Sequence, residues 1–132
     1  MWHPKTIEFT ERLEKLFDEV DNYIEDVYGD RYSLHPARPA RGATANPQAD
    51  GLFTIGADFT AGYGSELGRG YLIDVTVATL EEVDESARDE IYRAAVRKIE
   101  ELLPLRFPER ELTVRQDGNH FKIQGDFGLG DL

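Results

Sequence analysis

Cysteine is absent from the 132-residue chain, and the sequence holds only three histidines. Without cysteine there is no disulfide framework, no thiolate metal site and no cysteine nucleophile. The histidines, His3, His35 and His120, are far apart in the chain and show none of the spacings typical of a metal site. We therefore expect neither a metal nor any other cofactor.

Long apolar runs are also missing, and we expect no targeting segment. The chain begins MWHPKTIEFTERLEK, which lacks the apolar centre of a signal peptide. No stretch approaches the roughly 20 apolar residues that a membrane-spanning helix needs. We expect a cytoplasmic protein with no membrane partner.

Positive charge is scarce. The 15 lysines and arginines stand against 26 aspartates and glutamates, which gives a formal net charge of −11. An acidic surface repels the phosphate backbone of DNA and RNA, so the charge argues against a nucleic-acid partner and is compatible with a cationic one. The balance of 40% hydrophobic and 31% charged residues is that of an ordinary folded protein, and we expect one domain over residues 1–132.

Two segments carry the three- and four-residue spacing of amphipathic helices. The first runs from about Lys5 to Tyr28 and the second from a cap at Asp84 to Pro104. The apolar stripe of the first helix is Phe9, Leu13, Leu16, Phe17, Val20, Ile24, Val27 and Tyr28. The other faces carry Glu11, Glu14, Asp18, Asp21, Glu25 and Asp26.

Period-two alternation predicts four strands in two hairpins. Residues 52–60 and 70–79 form the first. In the second, ELTVRQDGNHFKIQG, we predict a type I′ turn at Asp117 and Gly118 that pairs Val114 with Phe121. A turn at Gly118 and Asn119 is the alternative; we disfavour it because it pairs a glutamine with Phe121.

The order of elements is helix, loop, hairpin, helix, hairpin. It predicts an α+β two-layer sandwich, with two helices packed on one face of a mainly antiparallel sheet of about four strands. Residues 30–51 form a long loop that contains prolines and arginines, and residues 125–132 are a glycine-rich tail that we expect to be flexible.

Four glycines, Gly62, Gly64, Gly68 and Gly70, lie within nine residues between the first two strands. Phosphate-binding and dinucleotide-binding glycine loops open into a helix, whose N-terminus holds the anion. Here a strand follows, which excludes both motifs. A hairpin turn is the favoured interpretation, and a ligand-contacting loop with Arg69 as its charge is the alternative.

The long loop is a basic island in an acidic chain. It carries Arg38 and Arg41 and has no acidic residue between Arg31 and Ala49. One interpretation is a tether that pairs its arginines with the acidic helix. The other is an anion site in which Arg38 and Arg41 hold a carboxylate or phosphate. The stretch PARPAR also has the spacing of a polyproline ligand, although so short a motif often arises by chance.

The polar face of the predicted sheet is a third candidate site. Asp58 and Asp74 lie on the two strands of the first hairpin, and His120 lies beside Arg115 on the second. Two carboxylates and a histidine can perform acid–base chemistry or hold a divalent metal ion. The alternative is an ordinary solvated face of an antiparallel sheet.

The outline of helix, strands, helix and strands in an acidic chain of this size resembles the small secretion chaperones, although their third helix is missing here. That resemblance implies a homodimer that wraps an unfolded segment of a partner. Since the sequence contains no catalytic motif, we predict a non-catalytic protein-binding or adaptor module, acidic and homodimeric. The alternative is a small enzyme or metabolite-binding protein. It would hold an anionic ligand with Arg38, Arg41 and Arg69 and transfer protons through Asp58, Asp74 or His120.

Overall fold

The structure, a computed structural model, describes residues 4–62 and 68–125. Two helices and four strands form one layer of helices on one antiparallel sheet, which confirms the predicted α+β architecture. The strand order is β1-β2-β4-β3. The elements are α1 (Pro4–Tyr28), a 3₁₀ turn (Pro47–Ala49), β1 (Phe53–Thr60), β2 (Gly70–Val77), α2 (Glu85–Arg106), β3 (Leu112–Asp117) and β4 (His120–Gly125).

The core lies between the two helices and the apolar face of the sheet. Alternate strand residues point into it, as the period of two requires. Among its largest fully buried side chains are Phe9, Leu16, Ile24, Phe53, Ile55, Ile73, Ile91, Ile99, Phe107 and Ile123. Each such side chain contributes roughly 1.5–3 kcal/mol of transfer free energy, so this layer contact is the main source of stability.

Burial along α1 departs from the predicted apolar stripe at three positions. Val27, predicted in the apolar stripe, is 49% exposed, whereas Asp21 and Glu25 are 1% and 7% exposed. The physical reason is that α1 has two neighbours. The sheet covers its apolar stripe, and the long loop covers the flank that carries the two carboxylates.

Helix α2 begins as predicted, since the Asp84 side chain accepts a hydrogen bond from the Ala87 amide at 2.8 Å. It extends past the predicted end at Pro104 to Arg106. A proline in the last turn removes only one helical hydrogen bond. The Phe107 amide then donates to the Leu103 carbonyl at 2.8 Å and ends the helix.

The predicted turn of the second hairpin is wrong. The strands pair Val114 with Ile123, so the turn residues are Gly118 and Asn119. The observed and predicted registers differ by two residues, which leaves every side chain on its face, so hydrophobic alternation cannot choose between them. The backbone conformation distinguishes the two registers. A type I′ turn at Asp117 and Gly118 needs a positive φ at both residues. Gly118 has a φ of +64°, but none of the described non-glycine residues, Asp117 included, has a positive φ.

The segment that holds the four glycines joins β1 to β2, and these strands pair antiparallel, as a hairpin turn requires. Gly62 and Gly68 flank it with φ values of +82° and +76°. Residues 63–67 lie outside the described residues, and with them the Gly64 part of the predicted ligand loop. The predicted flexible tail lies outside them too, apart from Gly125, which ends β4.

Candidate functional site

The long loop folds against α1 and the start of β1, and Arg38 holds it there. The guanidinium donates to the backbone carbonyls of Gln48, Asp50 and Gly51 at 2.9–3.0 Å. It also donates to the Phe53 carbonyl at 3.3 Å and to the Thr54 hydroxyl at 2.9 Å. These acceptors are part of the protein, so Arg38 organises the loop around itself.

Arg41 makes a surface tether. It pairs with Asp26 of α1 at 2.9 Å and donates to the Asn22 carbonyl at 3.2 Å. This contact is the tether that the sequence offered as an alternative to an anion site. Arg69 is exposed just before β2, at the opposite end of the first hairpin and about 20 Å from Arg38 along the strands. The structure does not bring the three arginines together.

Arg38→Lys is expected to lower the free energy of unfolding by about 2 kcal/mol, because an ammonium cannot reproduce the planar fork and leaves buried carbonyls unpaired. Arg41→Lys, the matched change at an exposed ion pair, should cost less than about 1 kcal/mol. Urea unfolding of both variants measures the difference. Equal losses would show that Arg38 does not organise the loop.

The outer edge of β1 is the edge of the sheet, and side chains take the place of a fifth strand along its first half. The Glu25 carboxylate accepts from the Phe53 amide at 3.1 Å. The Gln48 side-chain oxygen accepts from the Ile55 amide at 2.7 Å, and Arg38 donates to the Phe53 carbonyl. These contacts satisfy backbone groups that would otherwise be open to another chain.

The second half of the same edge is open. Because even-numbered residues of β1 form the hydrogen-bonded pairs with β2, the amides and carbonyls of Ala57 and Phe59 point away from the sheet. Within residues 4–62 and 68–125, no group bonds to them. Phe59 is also 53% exposed. A strand edge that is both unpaired and apolar is a template for pairing.

A groove of about 590 Å³ lies between β1 and α1, with Ala45, Asn46 and Gln48 of the long loop also lining it, and it reaches the open half of the edge at Ala57. Its apolar surface comes from Leu13, Phe17, Ala57 and Tyr71, and the carboxylates of Glu14 and Asp18 line its α1 wall. No lysine or arginine of the described chain lines it. The groove therefore combines an apolar floor, an acidic wall and an open backbone edge.

A buried acidic cluster lies under the long loop, where Asp21, Glu25 and Asp50 line a cavity of about 130 Å³. Burial, reinforced by the charges of Glu25 and Asp18, raises the pKa of Asp21 to about 8. Burial likewise raises the pKa of Glu25, whereas hydrogen bonds from Thr44 lower the pKa of Asp50. Asp21 Oδ1 has no hydrogen-bond partner among the residues that the structure describes.

A cleft of about 300 Å³ opens between β2 and β4, and it contains Asp74 and His120 but not Asp58. The two strands are separated there by Tyr92 of α2. Its hydroxyl donates to the Ile73 carbonyl at 3.0 Å and accepts from the Phe121 amide at 2.7 Å. The structure thus brings together two of the three residues predicted for acid–base chemistry.

The predicted neighbour of His120 is wrong. In the observed register His120 lies opposite Asp117, and Arg115 lies opposite Lys122. Lys122 is 1% exposed and pairs with Asp117 at 2.7 Å. The observed hairpin therefore has an ion pair between buried Lys122 and partly exposed Asp117 where the sequence predicted a polar surface cluster.

Sequence reasoning missed Glu25 and Gln48, although one signal for Glu25 was present. Leu13, Phe17, Asp21 and Glu25 follow each other at steps of four residues, so they form a single ridge of the helix. A ridge that begins with two apolar residues favours burial of the next residues on it, although the loop that covers Glu25 cannot be read from the helix itself. Nothing in the loop sequence distinguished Gln48 from its polar neighbours.

Across the described part of the chain, no cluster of three or more histidine, aspartate or glutamate residues is arranged to hold a metal ion. Neither described helix has the length and apolar character to cross a bilayer.

Comparisons with known proteins find similarity over most of the chain. An uncharacterized protein of Borreliella burgdorferi is 42% identical over 120 residues, which cover 91% of this chain and 94% of the relative. No solved structure matches the chain. A family model described as "Uncharacterised protein" matches residues 4–125, and the chain therefore belongs to that family.

Proposed function

We propose that this protein is a protein-binding module that accepts an extended segment of a partner as a fifth strand on the outer edge of β1. The observation that carries the proposal is the open half of that edge, at Ala57 and Phe59, beside the groove of about 590 Å³. Strand addition supplies affinity through main-chain hydrogen bonds and specificity through alternate side chains.

The division of the edge supports a defined docking position. Glu25, Arg38 and Gln48 close the edge as far as the Ile55 amide, so an added strand can pair only beyond that point. The groove overlaps the open stretch at Ala57, which lines it together with Thr54, Ile55 and Gly56. Backbone pairing and side-chain contact are therefore available at the same place.

A homodimer stays a prediction, and the β1 edge is a poor surface for it. Each of two copies paired edge to edge would carry a net charge of −11. The pairing would bring the acidic side chains at this edge of one copy, Asp58, Glu14 and Asp18, near those of the other copy. Like charges across a pairing edge are destabilising. We therefore assign the edge to a different protein.

The alternative function, a small enzyme or metabolite-binding protein, is favoured by one observation. Asp74 and His120 share the cleft at Tyr92, where Arg88 supplies the positive charge that the loop arginines do not. We rank this function second, because the Tyr92 hydroxyl in the cleft already bonds to backbone groups of β2 and β4 and is not available to a ligand.

Selection from a display library of random peptides tests the proposed function. We expect enriched peptides whose binding is lost, by at least about tenfold, in Ala57→Pro. Proline is tolerated on an edge strand at a position whose amide faces outward, because no hydrogen bond within the sheet is lost. It removes the N–H group that an added strand would pair with. Gln116→Pro, on the other edge strand, is the matched control and should bind normally.

Circular dichroism establishes that each proline variant is folded, and Phe59→Pro replaces Ala57→Pro if the latter is not. Failure to enrich any peptide, or full binding by the folded edge variants, contradicts strand addition at β1.

A further inference from the structure

We infer that the segment accepted by β1 is basic, with lysine or arginine at alternate positions; this inference rests on the proposed function. The charged residues that line the groove are two carboxylates, Glu14 and Asp18. The surrounding chain has a net charge of −11. The occupant that complements both is a cationic extended segment of another protein.

The shape of the groove suits long basic side chains. In a strand added to β1, every second side chain points toward the helix layer, as Phe53 and Ile55 do. Such a side chain would contact Leu13 and Phe17, which line the groove on the same helix as Glu14 and Asp18. Lysine and arginine can lay their methylene stems on this apolar surface and place the charged head at Glu14 or Asp18.

Asp18 is held in position for this role. Gln48 donates to the Asp18 carboxylate at 3.2 Å and to the Phe17 carbonyl at 3.1 Å. The side-chain oxygen of Gln48 accepts a hydrogen bond from the backbone amide of Ile55, at the point where the closed half of the edge ends. A carboxylate fixed at the start of the docking edge loses little side-chain freedom on binding, which makes its ion pair more favourable.

The remaining side chains of an added strand would lie on the open face of the sheet. The neighbouring side chain of β1 on that face is the exposed Asp58. Cross-strand pairs of opposite charge are favourable and pairs of like charge are not. Both faces of the docked strand therefore favour positive over negative charge.

Three labelled synthetic peptides of about ten residues test the inference by fluorescence anisotropy. One alternates lysine with valine, one glutamine with valine, and one glutamate with valine. We expect the lysine peptide to bind at least about tenfold more tightly than the glutamine peptide, and the glutamate peptide to bind most weakly. The preference should shrink as salt rises from about 0.05 to about 0.3 M.

A matched pair of double variants locates the effect. Glu14→Gln with Asp18→Asn keeps the acceptor for Gln48 and should remove about tenfold of the affinity for the lysine peptide. Glu11→Gln with Glu100→Gln removes the same charge from exposed positions outside the groove and should change the affinity less than about twofold.

Equal binding of the lysine and glutamine peptides overturns the charge preference but leaves strand addition in place. Equal effects of the two double variants also overturn it, since the attraction would then come from the whole surface. Absence of binding by all three peptides, together with an empty display selection, overturns the proposed function itself. A dimer that Ala57→Pro converts to a monomer, measured by light scattering, would show that a second copy occupies the edge and would overturn the inference.

Discussion

Glu25→Ala is expected to lower the free energy of unfolding by about 3–5 kcal/mol. The Glu25 carboxylate is 7% exposed and accepts from the backbone amides of Leu52 at 2.7 Å and Phe53 at 3.1 Å. Removing it leaves two buried amides without an acceptor, at about 1–3 kcal/mol each, and opens a cavity beside them. Urea unfolding at pH 7 measures the loss.

The matched control is Asp26→Ala, one residue along α1. Asp26 is exposed and its one ion pair, with Arg41, lies at the surface, so its removal should cost less than about 1 kcal/mol. The variant Glu25→Ala should also expose the sealed half of β1, so hydrogen exchange of the Phe53 amide should rise with it. A loss no larger than that of Asp26→Ala would refute the capping role of Glu25.

Asp21→Asn is expected to stabilise the protein at pH 8 by an amount of the order of a few kcal/mol. Burial and the neighbouring charges of Glu25 and Asp18 raise the pKa of Asp21 from 3.8 to about 8. In the folded protein at neutral pH, Asp21 therefore keeps a proton that the unfolded chain releases. Asparagine removes this proton linkage and cannot acquire a charge.

The direction of the pH dependence follows from proton binding. Between pH 3.8 and about 8 the folded state binds more protons at Asp21 than the unfolded state does, so the stability contributed by Asp21 falls as pH rises. That contribution is complete below pH 3.8 and is lost by about pH 8. Glu25, whose pKa is also raised, adds a slope of the same sign.

Thermal unfolding of the wild type and Asp21→Asn across this pH range separates Asp21 from the other groups, because their contributions largely cancel in the difference. We expect the variant's advantage to be largest near pH 8 and to shrink toward pH 4. Asp26→Asn, an exposed control on the same helix, should follow the wild type. A difference that does not vary with pH would contradict a raised pKa at Asp21.

The proposed binding edge could be predicted from the sequence only in part. The alternation in residues 52–60 identified β1 as a strand, and local period-two patterning was sufficient for that. Whether β1 lies at the edge or the centre of the sheet depends on strand order, which is a long-range property. The groove carboxylates Glu14 and Asp18 were assigned to polar helix faces, but nothing local indicated that β1 would lie beside them.

By itself the sequence determined the elements of this protein: two amphipathic helices, four strands, their order and the α+β class. Each of these is encoded in side chains a few residues apart, so their spacing can be read locally. The tertiary structure alone decided the hairpin register, where two alignments keep the same faces and the absence of a positive φ at Asp117 excludes the predicted type I′ turn. It also decided that Asp21 and Glu25 are buried, because the loop that covers them comes from residues that are distant along the chain.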